Sequence, residues 1–442
     1  MNTRWLAVGI WGSLLGVFTG IIAVPSASQE SQIVPVKVPA RLVAHGIIPA
    51  RTLISAPKDA PPDLQVSGKF TQGRRATAPI VGLSGITLPL PGQPVQGFSS
   101  VVPDGNTFWF LSDNGFGSKA NSSDAMLMLH QFALDWQTGA SQRRQTLFLR
   151  DPHRRIPFRL TQEDSRYLTG ADFDPESLER VGEHWWIGDE FGPYLLKVDQ
   201  EGIVQTLVET RIGERVIRSP DHADVRVPGS PTQPPAIDLG RSKGFEGLGV
   251  SLDQRFLYAL LEGPLWDPDR RSWEPDLRIL EFNVEQEQWT GRFWRYALEH
   301  PSHAIGALTF LNKTTALVIE RDQGEGSLTR ACPLPQPCFP NPARFKRIYR
   351  ITFDPNQPGQ RVTKAAFIDL LHIRDPDGRA QVPLENGKFT FPFITIESLT
   401  ILDAEHILVA NDNNLPNSSG RDPETADATE WIKLSVPELL RP

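Results

Sequence analysis

Hydrophobic and polar positions recur along the chain in one order: a short apolar strand, a turn, a second apolar or aromatic strand, and an acidic, glycine-rich exit. Strands are predicted because the apolar residues alternate with polar ones or form short runs bounded by turn residues. The order occurs five times, in residues 82–86 with 108–115, 174–178 with 184–193, 244–250 with 256–263, 305–308 with 316–322, and 396–399 with 406–413. The pattern therefore predicts an internally repeated β-structure.

Most copies are followed by a second pair of predicted strands, such as residues 127–134 with 145–149. Four strands per repeat are typical of a β-propeller blade. We therefore predict an all-β fold, a β-propeller of four-stranded blades, in which five blades can be counted and the intervals leave room for a sixth. A β-sandwich, or two of them, is the alternative, but it would not explain the repeated acidic exits.

The two ends of the chain carry a further pair of predicted strands, in residues 41–44 and 430–434. If they pair within one blade, they close the ring without an exposed sheet edge. The predicted organisation is a Pro-rich lead at 29–79, which holds this ring-closing strand, followed by a propeller domain at 80–442.

Composition and charge exclude several classes of protein. With 39 Pro and 35 Gly among 442 residues, the chain does not suit a helical bundle or a coiled coil. Lys and Arg number 45 against 52 Asp and Glu, a formal charge of −7, and no basic tract stands out. Nucleic acid is therefore not an expected partner. We expect a monomer with a small-molecule substrate.

The first 28 residues are typical of a signal peptide. Arg4 is their only charge, residues 5–24 are almost wholly apolar, and small residues at 26–28 suit cleavage. The mature protein is expected outside the cytoplasm, either periplasmic or secreted. The apolar stretch is close to spanning length, so an uncleaved N-terminal anchor is the rival interpretation, and only in that case is membrane contact expected.

The two cysteines, Cys332 and Cys338, lie close together in a Pro-rich segment. In an exported protein such a pair predicts a disulfide that stiffens the loop. Two free thiols are the alternative. A zinc site is disfavoured because no second Cys/His pair lies nearby in the sequence.

Acidic residues recur at two places in the repeats. Glu176, Glu246 and Glu397 stand just before the Leu of the first strand, where turn formation does not favour Glu, and they are the candidate catalytic residues. The candidate metal ligands lie at the exit of the second strand and are Asp113, Asp189, Glu190, Glu262, Glu320, Asp322 and Asp412. Around a propeller axis these carboxylates would converge, and they would suit a hard cation, with Ca²⁺ expected. Asp113 and Asp412 also stand in good turn sequences, which explain them without metal.

Two basic residues stand among these acids. Lys243 and Arg321 are candidates for binding an anionic substrate, although either could instead form an internal ion pair. The sequence has no Gly-x-Ser-x-Gly motif, which weakens any hydrolase hypothesis based on a serine nucleophile.

Three stretches resemble a known family. Residues 170–202, residues 244–248 with 262–264, and residues 396–399 with 411–413 are similar to the phytase-like family, whose description is esterase-like activity of phytase. The resemblance extends over about residues 80–435. It implies an exported β-propeller with hydrolase activity on phosphate or carboxylate esters. We therefore expect a phytase-like hydrolase that depends on a metal. A non-catalytic extracytoplasmic propeller that binds a ligand or protein is the alternative, because a fold does not fix a function.

Overall fold

The computed structural model describes residues 34–82, 84–226, 236–329 and 338–441, which form five twisted antiparallel sheets in a propeller ring. Blade 1 consists of Phe98–Asp104, Thr107–Ser112, Met128–Leu134 and Ser141–Phe148. Blade 2 consists of Pro175–Val181, His184–Asp189, Tyr194–Val198 and Val204–Glu209. Blade 3 consists of Phe245–Val250, Phe256–Leu261, Leu277–Asn283 and Gln288–Tyr296.

The last two blades include strands from the beginning of the chain. Blade 4 consists of Ala304–Asn312, Thr315–Arg321, Lys346–Thr352 and Thr363–Asp369, and Val36–Lys37 joins its outer edge as a parallel fifth strand. Blade 5 consists of Ile396–Ile401, His406–Asn411, Thr429–Ser435 and Arg41–Ile48. The innermost strand of each blade contacts those of both neighbouring blades, so the five strands surround one central axis.

Short elements decorate the ring. Five two-stranded sheets pair Leu53–Ile54 with Gln93–Pro94, Phe70–Thr71 with Arg74–Arg75, Ile80–Val81 with Thr87–Leu88, Arg211–Ile212 with Arg215–Val216, and Trp266–Asp267 with Ser272–Trp273. The described helices are a 3₁₀ turn at Pro62–Leu64 and a single α-helical turn at Pro437–Leu440. No helix in the described part of the chain reaches the length and hydrophobicity of a membrane span.

The core is divided into layers between adjacent blades. Five apolar clusters fill the spaces between blades 1 and 2, 2 and 3, 3 and 4, 4 and 5, and 5 and 1. Each blade is therefore buried on both faces, which explains why its second strand is a nearly continuous apolar run, as in Trp185–Ile187 of blade 2. Trp431 is fully buried between blades 5 and 1.

The structure confirms the all-β propeller and corrects its first repeat. Residues 82–86 were predicted to form the first strand of the first repeat, but the first and innermost strand of blade 1 is Phe98–Asp104. The earlier segment instead lies between the paired strands Ile80–Val81 and Thr87–Leu88. The described residues before position 80 extend blades 4 and 5 and form no sixth blade.

Ring closure takes place in blade 5, where Arg41–Ile48 pairs antiparallel with Thr429–Ser435. The two ends of the propeller thus share one sheet, as the strand pattern at the chain ends suggested. The predicted signal segment at 1–28 and Cys332 lie outside the described residues, so signal cleavage and the Cys332–Cys338 disulfide stay predictions.

Gly46 in the ring-closing strand has no room for a side chain. A Cβ atom there would lie 2.2 Å from ring carbons of Trp431 and 2.5 Å from the carbonyl oxygen of Gly139. We expect Gly46→Ala to lower the free energy of unfolding by about 1–3 kcal/mol, because overpacking forces rigid neighbours to move. Urea unfolding measures the change. Gly82→Ala is the control, since its nearest contact would be an ordinary 3.4 Å, and equal midpoints for the two variants would contradict the prediction.

Candidate active site and metal centre

Every blade carries a β-bulge at the same place on its innermost strand. In blade 2, Pro175 pairs with Asp189 and Ser177 with Gly188, so Glu176 is the extra residue. The same register shift leaves one extra residue in each of the other blades, namely Ser99, Glu246, Gly306 and Glu397. A bulge re-aims a side chain next to the sheet. Three of the five bulges therefore present a glutamate, and one carboxylate oxygen from each lies within 4.8 Å of the other two.

Blade 4 has glycine at its bulge for a steric reason. A Cβ atom on Gly306 would lie 2.1 Å from the carbonyl oxygen of Ile396 in blade 5. No side chain fits that distance without moving the backbone of the neighbouring blade. The bulge glutamates are therefore found in blades 2, 3 and 5 and not in blade 4. Blade 4 contributes a charged side chain from another position.

That other position is the exit of the second strand. In each blade the residue before the bulge pairs with a residue of the second strand, and the exit position is the next one along the chain. It is occupied by Asp113, Glu190, Glu262, Arg321 and Asp412 in blades 1 to 5. Four blades thus place an acid here and blade 4 places an arginine. Bulge and exit residues lie at the same end of the inner strands. Glu246 and Glu397 also line a central channel of about 300 Å³, which extends from them along the inner strands towards the turn at residues 251–254 of blade 3.

We name the resulting group of eight carboxylates the mouth cluster; it comprises Asp113, Asp174, Glu176, Glu190, Glu246, Glu262, Glu397 and Asp412. Three overlapping triads within it hold their oxygens within 4.8 Å of one another: Asp174–Glu176–Glu190, Glu176–Glu246–Glu397 and Glu190–Glu246–Glu262. All members except Asp113 are buried.

Two basic side chains contact the mouth cluster in the described part of the chain. Arg321 Nη2 lies 3.1 Å from Glu397 Oε1, 3.6 Å from Glu262 Oε1 and 3.9 Å from Glu246 Oε1. Lys243 Nζ donates to Glu262. Both basic groups are therefore engaged by carboxylates of the chain itself. Eight acids face two cations, which leaves a large excess of negative charge.

This excess is reflected in the pKa values of the acids. Burial, reinforced by neighbouring carboxylates, raises the pKa of Glu176, Glu190 and Glu246 well above its usual range. Burial also raises the pKa of Glu397 to about 8 and that of Asp174 to about 6. The fully ionised cluster is thus unfavourable unless protons or cations neutralise it.

Several oxygens of the mouth cluster are buried without a hydrogen-bond partner. They are Asp174 Oδ1, Glu176 Oε2, Glu190 Oε1 and Glu246 Oε1. A buried polar atom of this kind is costly unless something else satisfies it. Oxygens on opposite sides of a Ca²⁺ ion, at its usual 2.3–2.6 Å, are up to about 5 Å apart. The spacing and chemistry of these oxygens therefore fit Ca²⁺.

A family model with the description "Esterase-like activity of phytase" matches residues 93–415, which includes all five innermost strands and the whole mouth cluster. The chain belongs to the phytase-like family. A secreted protein of Arthroderma benhamiae, itself uncharacterized, is 28% identical over 110 residues, covering 23% of this chain and 22% of that protein. This chain thus matches about a fifth of the length of that curated relative.

Solved structures similar to this phytase-like chain are distant. Glutaminyl cyclase of Myxococcus xanthus is 10% identical, with 91% of this chain and 99% of that chain covered, at a TM-score of 0.36. The PQQ-bound aldose sugar dehydrogenase of Streptomyces coelicolor is 11% identical, with 90% and 96% covered, at a TM-score of 0.32. Neither similarity says anything about the activity of this chain.

Three acids proposed from the sequence as metal ligands lie outside the mouth cluster of this phytase-like chain. Asp189 accepts the backbone N–H groups of Asp174 and Gly192 at 2.8 and 2.7 Å. Asp322 accepts the backbone N–H groups of Arg344 and Phe345. Both carboxylates organise loops.

Glu320 belongs to a separate polar network between blades 3 and 4. Its carboxylate accepts hydrogen bonds from Tyr296, His303, Lys364 and the backbone of Glu299. Strand alternation explains the separation, because Glu320 and Arg321 are consecutive and point to opposite faces of the sheet. Only Arg321 can therefore reach the mouth cluster.

The turn interpretation of Asp113 and Asp412 also holds. Asp113 Oδ1 accepts the backbone N–H of Gly115 at 2.9 Å, and Asp412 Oδ1 accepts that of Asn414 at 2.6 Å. Each uses one oxygen to fix a turn. The other charges of the cluster nevertheless act on Asp113, whose pKa is raised by burial and then by Asp412, Asp174 and Glu397.

The sequence reasoning missed Asp174. It stands two residues before the bulge of blade 2, where the other blades have Gly97, Gly244, Ala304 and Thr395. A carboxylate at a position otherwise occupied by small or neutral residues was the available signal.

A second group of potential ligands, Glu209, His222 and Asp224, lies at the edge of blade 2. His222 Nδ1 accepts the backbone N–H of Asp224 at 3.0 Å. Burial, followed by the charge of Arg218, lowers the pKa of His222, so the ring is neutral and its proton lies on Nε2. In this group Asp224 is exposed and Glu209 is half-buried, whereas every acid of the three triads in the mouth cluster is buried, which leaves the mouth cluster as the stronger candidate.

Proposed function

We propose that this chain is an exported, metal-dependent hydrolase of esters, with its active site at the mouth cluster. The observation that carries the proposal is the set of buried carboxylate oxygens that have no partner within a cluster of uncompensated charge. Membership of the phytase-like family supports ester chemistry. The apolar N-terminal stretch and the secreted Arthroderma benhamiae relative support an extracytoplasmic location.

Asp174, Glu176 and Glu190 are the residues that would hold a divalent cation. When bound, such a cation supplies charge that polarises a carbonyl or phosphoryl oxygen and lowers the pKa of water. Hard oxygen ligands favour Ca²⁺ or Mg²⁺, and the spacing of the oxygens favours the larger Ca²⁺.

Glu246 is the best candidate for the general base. Its side chain lines the central channel, and its Oε1 has no hydrogen-bond partner. Glu397 also lines the channel, but its Oε1 accepts a hydrogen bond from Arg321 at 3.1 Å. Glu246 would take a proton from the attacking water and later return it to the leaving alkoxide. Arg321 and Lys243 hold neighbouring carboxylates in place through ion pairs.

We expect Ca²⁺ to raise the thermal unfolding midpoint of the protein. A ligand that binds only the folded state stabilises it by about 2.7 kcal/mol at a hundredfold excess over its Kd. Differential scanning fluorimetry across a calcium titration measures the shift, and a chelator should reverse it. An unchanged midpoint up to millimolar Ca²⁺ would remove the metal site from the proposal.

The function itself is tested with a panel of carboxylic and phosphoric esters and the purified chain, with and without Ca²⁺ after chelation. Hydrolysis that disappears with the chelator and returns with Ca²⁺ supports the proposal. Hydrolysis at the same rate with and without the chelator would contradict the metal dependence. A calcium-dependent rise in stability without hydrolysis of any ester would favour a propeller that binds a ligand without catalysis.

A further inference from the structure

The exit positions of the five blades differ in the sign of their charge. Asp113, Glu190, Glu262 and Asp412 are acids, whereas blade 4 has Arg321 at the equivalent place in the register. Its side chain is only 5% exposed. A positive group is therefore built into a ring of otherwise negative ones, and it divides the mouth cluster into two unequal parts.

We name the first part the arginine lobe and define it by Glu246, Glu262 and Glu397. Arg321 Nη2 lies between 3.1 and 3.9 Å from one oxygen of each of these three residues. Lys243 adds a second cationic contact at Glu262. The guanidinium is thus shared by three carboxylates.

We name the second part the blade 2 lobe and define it by Asp174, Glu176 and Glu190. One oxygen from each lies within 4.8 Å of the other two. Each residue also keeps a buried oxygen without a hydrogen-bond partner, and each is at most 9% exposed. Among the described residues, no Lys or Arg forms an ion pair with this lobe within 4.0 Å.

We propose that Arg321 is a resident cation that takes the place of a second metal ion, so that the mouth cluster binds one divalent cation, in the blade 2 lobe. This inference rests on the cation binding in the proposed function and goes beyond it by assigning the number and place of the ions. An ion in the arginine lobe would be repelled by the guanidinium at close range in a buried setting. In the blade 2 lobe the described residues form no such ion pair, and Lys243, whose charge also acts on Glu190, pairs with Glu262.

The charge of Arg321, rather than its size, then decides how many divalent cations the mouth cluster binds. Arg321→Gln removes the positive charge and frees three carboxylates to act as ligands. Arg321→Lys keeps the charge with a different shape. Exit residues of neighbouring blades give a second matched pair, since Glu190→Gln removes a ligand from the blade 2 lobe and Glu262→Gln removes an acid from the arginine lobe.

The experiment is a Ca²⁺ titration of the full chain and the four variants by isothermal calorimetry, with native mass spectrometry to count bound ions. We expect one ion in the wild type and in Arg321→Lys, and two in Arg321→Gln. Affinity should fall at least about tenfold in Glu190→Gln, because Ca²⁺ affinity follows the number of charged ligands, and should stay nearly unchanged in Glu262→Gln.

Circular dichroism identifies any variant that fails to fold. If Arg321→Gln does not fold, the comparison of Glu190→Gln with Glu262→Gln still decides where the ion binds. Two ions in the wild type, or an ion lost in Glu262→Gln but kept in Glu190→Gln, would overturn this inference and leave the proposed hydrolase intact. A wild type that binds no Ca²⁺ would overturn it together with the metal dependence, whereas a loss of ester hydrolysis alone affects only the proposed function.

Discussion

Glu246→Gln should lower the rate of calcium-dependent ester hydrolysis by about 10²- to 10⁴-fold, the usual contribution of a general base. The substitution keeps the shape of the side chain and removes its ability to accept a proton. The fold should survive, because burial, followed by the charges of Glu397 and Glu262, raises the pKa of Glu246 and makes its ionised form costly. Initial rates of ester hydrolysis give the catalytic effect, and thermal unfolding midpoints of the same samples with Ca²⁺ show whether the fold survives.

Glu281→Gln is the matched control for Glu246→Gln within blade 3. Glu281 is also buried, but its carboxylate accepts hydrogen bonds from Tyr258, Thr290 and Arg292, away from the mouth cluster. Glu281→Gln should lower the stability of the fold and leave the rate of ester hydrolysis unchanged, whereas Glu246→Gln should lower the rate and leave the fold intact. Wild-type hydrolysis in folded Glu246→Gln would contradict the assignment of the general base.

Glu430→Gln should cost about 3 kcal/mol of unfolding free energy, because it breaks a buried ion pair where the ring closes. Arg421 donates to both oxygens of Glu430 at 2.8 and 2.6 Å, and His45 Nε2 from the ring-closing strand lies 3.0 Å from Oε2. Burial alone would raise the pKa of Glu430, but Arg421 and the hydrogen bond from His45 outweigh it and lower the pKa to about 2.

The sign of the pH dependence at Glu430 follows from this lowered pKa. The carboxylate contributes its stability above its ordinary pKa of 4.5, and this contribution is lost as the pH falls from there towards 2. We therefore expect the free energies of unfolding of the wild type and Glu430→Gln, measured with urea, to differ less at pH 3 than at pH 7. Glu405→Gln, an exposed acid of the same blade, is the control. A constant difference at both pH values would contradict the role of the ion pair.

Much of the fold can be predicted from the sequence, because a propeller repeats its pattern. Acidic exits and apolar second strands allow five blades to be counted, and the strand candidates at the chain ends indicate how the ring closes. The innermost strand of blade 1 is the exception. Phe98–Asp104 contains two Ser, a Pro and an Asp and is less apolar than a typical strand, and its place depends on pairing with Thr107–Ser112 rather than on its own pattern.

Most of the candidate site is predictable from the sequence, with Asp174 as the exception. Glu176, Glu246 and Glu397 stand out because Glu is unusual between apolar strand residues, and the structure brings all three together. Asp189 and Glu320 each lie one position before an exit residue. Because consecutive residues of a strand point to opposite faces of the sheet, their side chains point away from the mouth cluster. The bulges that set the register depend on hydrogen bonds between strands, which a single sequence does not contain.

The most direct test of the account is the position of the cation in the mouth cluster. Crystals of the full chain grown with Ca²⁺, with diffraction recorded at a long wavelength, would locate calcium by its anomalous signal. We predict one strong peak about 2.3–2.6 Å from carboxylate oxygens of Glu176 and Glu190, the usual distance for Ca²⁺ ligands. A well-ordered mouth cluster with no anomalous peak at saturating Ca²⁺ would contradict the central claim that a metal ion neutralises these acids.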